Sequence, residues 1–295
     1  MLTALLLLLP CQQASPADLA FQFRADRVAL GRLWPAPLSS ERNARFHAFH
    51  QEWLERVARM EASSLGRAAA VDLMLLENHI RAAAAQALRK EERAAESEKL
   101  LPFAGPLVAL CEARALRRDI GPREAAEILA TALETVEELE ETIREEENPE
   151  EVSASLARRT ARTLGKLRKT LGAWYRWRAG YDPLFTWWCE APWEELSEAM
   201  EGFGETLEED VGGIDSEDDD LLLGDPIGRD ALVEALAGEM IAYSPEELLL
   251  IAEKEMAWCQ ARMAEAVAAM GCADWPQALD KVKGAHVDPG EQPAL

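Results

Sequence analysis

Apolar positions recur at helical spacing along almost the whole chain. Phe46, Phe49, Trp53, Val57 and Met60 step by three or four residues, which places them on one face of a helix following Ser39-Ser40. Val71, Met74, Leu75, Ile80, Ala83 and Leu88 predict the inner face of the next helix, and Pro102 and Pro106 interrupt the pattern. Gly121-Pro122 opens another helix, with proline in the first turn where its missing N–H costs nothing. Its apolar positions are Ala125, Ile128, Leu129, Ala132, Val136, Leu139 and Ile143, and Asn148-Pro149 ends it. Between Glu134 and Glu151 it carries ten glutamates and one arginine. The following helix has Val152, Leu156, Thr160, Leu164, Leu167, Leu171 and Trp174 on one face, and eight basic residues with no acid from Arg158 to Arg178. Opposite charge on consecutive helices predicts an antiparallel hairpin of these two. Apolar burial would hold it; exposed ion pairs add about 0.2–1 kcal/mol each and mainly discourage wrong partners.

Tyr181-Asp182-Pro183 breaks this pattern, and the stretch from Leu184 to Trp193 is aromatic. It reads as a packing corner between helices, with a ligand groove as the alternative. Thirteen acids and no Lys or Arg follow between Trp193 and Asp220, and Gly212 to Asp220 reads as a solvated loop. Asp225-Pro226 then starts a helix lined by Leu232, Leu236 and Met240. Ser244-Pro245-Glu246-Glu247 is a capping box for a last long helix. That helix shows Ala252, Met256, Cys259, Met263, Val267 and Met270 at spacings of three and four, and Gly271 stops it. No stretch alternates long enough to make a strand. The expected fold is all-α: an elongated bundle of antiparallel amphipathic helices with one long acidic loop. The expected organisation is a signal peptide or lipoprotein signal over 1–17, a helical region over 18–203, the acidic loop over 204–224 and a helical segment over 225–295.

Composition narrows the partners. The chain has 295 residues, a net charge of -23 and a pI near 4.6. Nucleic acid is excluded as a partner, because phosphate binding needs clustered Lys and Arg, and an anionic membrane surface would repel the body of the protein. Leu2 to Leu9 is too short to span a bilayer but suits an export signal. Cys11, directly after it, is a candidate lipid anchor, although no Lys or Arg precedes the run and Pro10 stands where a small residue is usual. Cleavage near Ala14 or Ala17 is the other export reading, and the expected location is periplasmic, secreted or lipid-anchored. The five cysteines form no C-x-x-C pair; Cys111, Cys189 and Cys259 read as small hydrophobes on helices.

The chemistry-bearing residues are sparse. The four histidines are His47, His50, His79 and His286, and none belongs to a His-Glu-x-x-His helix. His47 and His50 are neighbours on one helix, so a two-histidine metal site with Glu52 or His79 is conceivable beside the reading of an ordinary amphipathic helix. Asp215 to Asp220 imitates a calcium loop, but Asp220 occupies the glycine position and Pro226 the position of the bidentate glutamate. No nucleophile elbow or phosphate-binding loop is present, and Gly202-Phe203-Gly204 is too short to be a dinucleotide fingerprint. No catalytic, cofactor-binding or metal residue is expected.

Several motifs carry a resemblance. Tyr181-Asp182-Pro183-Leu184-Phe185-Thr186-Trp187-Trp188, the run from Gly224 to Leu232, that from Tyr243 to Leu248, Ala257-Trp258-Cys259 and the run from His286 to Gln292 resemble the domain of unknown function 885 family. The Asp72 to His79 stretch fits too, and the likeness spans residues 21 to 295. That family is similar in architecture to helical gluzincin metallopeptidases and often carries export or lipoprotein signals. The resemblance implies the N-terminal, substrate-channel part of an exported zinc-dependent peptidase, lacking the metal motif and inactive alone. Zinc is expected only in a full-length relative, whose His-Glu segment lies downstream of the Pro-Gly-Glu-Gln motif. The implied partners are the missing C-terminal catalytic region and a peptide substrate. Arg229 and His286 sit in family-like motifs with no role to carry over; helix-start hydrogen bonding and a loop contact are their plain readings. A non-catalytic helical binding or scaffold protein is the alternative.

Overall fold

The computed structural model describes residues 15–145, 152–214 and 223–285. Leu2 to Leu9, Cys11, Asn148-Pro149, the Asp215 to Asp220 run and the His286 to Gln292 motif lie outside the described residues. Among those residues the fold is all-α, with ten helices and no strand. The chain divides into two compact units, Met1–Pro226 and Ile227–Leu295.

Unit 1 holds α1 (Pro16–Leu33), α2 (Ser40–Ala58), α3 (Arg67–Glu98), α4 (Ala104–Glu112), α5 (Pro122–Glu145), α6 (Ala154–Ala179) and α7 (Pro183–Thr206). Local chemistry starts most of them. The Ser15 hydroxyl accepts from the Asp18 N–H while the Asp18 carboxylate accepts from the Ser15 N–H, so Pro16 and Ala17, placed in the expected leader, form the first turn of α1. Ser39 caps α2 by accepting from the Arg42 N–H at 2.8 Å. Asp182 caps α7 in the same way, with Pro183 in the first turn.

A first core joins α1, α2 and α3 through Leu19, Phe23, Trp53, Val57, Leu73, Leu76 and Ile80. The inner face of α3 therefore differs from the expected one. Leu73 and Leu76 are buried, whereas Met74 is 66% exposed and Val71, Leu75 and Leu88 also face solvent. The first turns of α3 are apolar on two adjacent faces, and the partner helices decide which is buried.

A second core fills the space between α4, α5, α6 and α7. It overturns the expected hairpin. The acidic α5 and basic α6 are not packed as partners; α7 lies against both, and α4 touches both. α7 runs parallel to α5: the Cys189 thiol meets the Pro122 carbonyl at 3.4 Å near one end, and Thr206 Oγ1 meets Glu140 at 2.9 Å near the other. α7 is antiparallel to α6, with the Trp193 ring stacked on Tyr175 at 5.7 Å and Arg168 forking onto Glu201 at 2.8 and 2.9 Å. Gly172 on α6 makes that approach possible, because a Cβ there would meet the Trp193 ring at 3.1 Å. Burial decides the arrangement. α7 brings Phe185, Cys189, Leu196, Met200 and Phe203 to the core, each buried large side chain contributing about 1.5–3 kcal/mol, against about 1 kcal/mol or less for an exposed ion pair.

The acidic stretch begins as helix. A wider turn, Leu207–Val211, extends α7, and Leu207 is buried, so the expected loop over 204–224 starts later. Unit 2 contains α8 (Arg229–Gly238), α9 (Pro245–Met270) and α10 (Trp275–Lys283). The Ser244–Glu247 capping box forms as expected, and Gly271 ends α9 at φ +64°. Among its described residues only Ala278 is buried.

Candidate functional site

Small residues on α3 leave room that basic residues line. Ala83, Ala87 and Ala94 face a cavity of about 590 Å³ bordered by α1, α2, α3, α6 and the loop between α1 and α2. Among the described residues, seven Lys and Arg side chains line it and no Asp or Glu does. Arg27 comes from α1, Arg42 from α2, Lys90 and Arg93 from α3, and Arg159, Lys166 and Lys169 from α6. Arg159, Thr163, Lys166 and Thr170 form a single stripe of α6 at spacings of three and four.

Two of the seven cations are paired with carboxylates among the described residues. Arg93 binds the Asp225 carboxylate at 2.8 Å and the Asp225 and Pro226 carbonyls at 3.1 and 2.8 Å. Arg159 holds Asp225 at 2.7 Å and also pairs with Glu96. Arg27, Arg42, Lys90, Lys166 and Lys169 have no carboxylate partner among the described residues. Arg42 instead lies over the Phe46 ring, 4.6 Å from its centre.

The surroundings of these groups shift their ionisation in the same sense. Desolvation, then the charges of Arg42, Lys166 and Arg27, hold the Lys90 ammonium below its usual range. Burial lowers Arg42. His50 is 5% exposed and falls to about 4, through desolvation first and then the charges of Arg27 and His47. Its Nε2, and Nε of Arg159, are buried with no hydrogen-bond partner among the described residues. Leu38, in the cavity wall, has φ +60°, a strained conformation for a branched residue.

The residues considered for metal are not brought together. His47 Nε2 lies 2.6 Å from a Glu91 carboxylate oxygen, His79 sets its ring edge-on to Phe23 at 5.7 Å, and Glu52 is exposed. No group of three His, Cys, Asp or Glu among the described residues is arranged to hold a metal. Of the aromatic stretch, Phe185 is buried and Trp188 and Trp193 pack on the core, but Trp187 is 72% exposed. Cys189 and Cys111 are apolar packing groups whose thiols burial pushes up to about 11 and about 12. Cys259, expected to pack likewise, is exposed on α9. Arg229 opens α8 and clasps Glu246 of α9 at 2.9 and 3.2 Å, a structural role.

The cavity itself is what sequence reasoning missed. Its signal was present in the acid-free run of α6, but that charge was assigned to α5. Compared with protein-family models, characterised proteins and solved structures, the chain finds no match.

Proposed function

We propose that this chain is the helical, substrate-handling part of an exported zinc-dependent peptidase, contributing a channel wall and no reactive centre. The observation that carries this reading is the bare apolar surface of α9. Leu249, Leu250, Ile251, Met256, Trp258 and Met263 are exposed on a 26-residue helix with no buried residue. Isolated helices draw most of their stability from packing, and a patch of this kind marks a surface made to meet another. The resembling motifs supply the chemical identity of the whole. Of those motifs, Gly228, Arg229 and the Ser244 cap set the starts of α8 and α9.

The test has two parts. Coding DNA beyond codon 295 is expected to carry an in-frame His-Glu zinc motif; stops in every frame there count against the reading. The purified 295-residue chain, supplied with zinc, is expected to hydrolyse no peptide. Chelator-sensitive hydrolysis by this chain alone would overturn the absence of a reactive centre.

A second reading, a non-catalytic binding protein, is favoured by the cationic cavity. It predicts a monodisperse chain that binds no hydrophobic dye. The channel-wall reading predicts dye binding and association through α9, both abolished by Leu250→Glu with Trp258→Glu.

A further inference from the structure

In a chain of net charge -23, the described residues that line the cavity of unit 1 include seven Lys and Arg and no Asp or Glu. Five of them lack a carboxylate partner among the described residues, and they reach the same space from α1, α2, α3 and α6. Charge of one sign gathered from four helices is unfavourable while empty, and a bound anion relieves it. We propose that this cavity binds a small anion bearing two or three phosphate groups.

Charge, size and access each narrow the class. Two or three phosphates carry about -3 to -6 at neutral pH, which matches five cations without a carboxylate partner better than a single carboxylate or phosphate does. The cavity's 590 Å³ exceeds what one phosphate fills and falls in the usual range of small-molecule sites, about 300–1,000 Å³. Lys90, Lys166 and Lys169 offer ammonium groups, Arg42 offers a planar fork, and His50 Nε2 has no hydrogen-bond partner among the described residues. Pro37, Leu38 and Phe46 give one wall an apolar surface for the organic part of such a ligand. A long polyanion would have to cross the acidic exterior, whose repulsion extends about a Debye length, roughly 8–10 Å. A small anion, once bound, leaves none of its charge lying along that exterior. The inference is independent of the peptidase reading: either can fail and leave the other intact.

Inorganic tripolyphosphate, titrated calorimetrically into the full chain in metal-free, low-salt buffer, tests it. Saturable one-to-one binding is expected. Lys90→Gln with Lys166→Gln should weaken it about tenfold per lysine, the scale of a lost charge-assisted hydrogen bond. Neither lysine belongs to a hydrophobic core, and circular dichroism checks that the variant keeps its fold. Lys254→Gln with Lys281→Gln removes the same charge from unit 2 and should leave the affinity unchanged. Equal weakening by the two double variants, or no saturable binding, overturns the proposal. Tighter binding of citrate overturns the phosphate class, and tighter binding of heparin at matched charge overturns the small ligand.

Discussion

Units 1 and 2 use the same local devices and reach different ends. Ser39 and Ser244 both cap helices, and proline opens α1, α7 and α9 alike. Yet unit 1 encloses two cores, while unit 2 buries Ala278 alone among its described residues. Capping and spacing are enough to specify a helix, but not to give its apolar face something to cover. The contrast separates what a segment does by itself from what it does only in company.

The sharpest way to break this contrast is to truncate one large side chain in each unit. Phe185→Ala, in the second core, should lower the unfolding free energy by about 3–5 kcal/mol in urea denaturation. Met256→Ala, at a residue 60% exposed on α9, should stay within about 0.5 kcal/mol. Comparable losses would mean that α9 is packed after all.

Acid should act on unit 1 through His50. Its folded value, about 4, lies below the ordinary 6.5, so the unfolded chain binds the proton more readily. The stability it contributes is complete above pH 6.5 and is lost as pH falls through about 4, amounting to about 3 kcal/mol. Arg27 and His47 face it and oppose its charging. Thermal melts across that range should show a decline that His50→Phe reduces; an unchanged decline would place the acid-sensitive group elsewhere.

The paired caps give a finer comparison. Ser39 is 2% exposed and its hydroxyl also meets the buried Glu112, so Ser39→Ala strands a carboxylate and should cost about 2 kcal/mol. Ser244→Ala should cost about 1 kcal/mol, seen as faster hydrogen exchange in the first turns of α9. Equal costs would remove the distinction. Smallest of all, Arg229→Ala breaks an exposed pair with Glu246 and should leave the melting temperature unchanged in high salt.

Helix existence and helix ends were legible because they depend on nearby residues. The Ser39 and Ser244 caps fall where capping chemistry places them, whereas the helix start expected at Asp225-Pro226 forms only at Arg229, after Gly228. The partners were less legible. Charge suggested α5 against α6, yet burial set α7 between them, since Phe185, Cys189 and Met200 require cover that glutamates and arginines do not. On α3, Leu73 and Met74 are equally apolar, and only the tertiary arrangement tells them apart. The cavity was hidden for a related reason. Arg27, Lys90 and Lys166 are far apart in sequence, and their convergence follows from how α1, α3 and α6 meet. The orphaned Nε2 of His50 gave no signal in the spacing, because it depends on what packs around that ring.

α7 has little slack. Phe185 answers to both Trp174 and Tyr175, Trp193 fits only because residue 172 is glycine, and Phe203 meets Phe103 on the far side. A change on the outer rim of α5 is absorbed by water; a change in α7 must be accommodated by two neighbours at once. Sequence drift should therefore be slowest along this strut, and a lasting substitution there should come with compensating changes in α5 or α6.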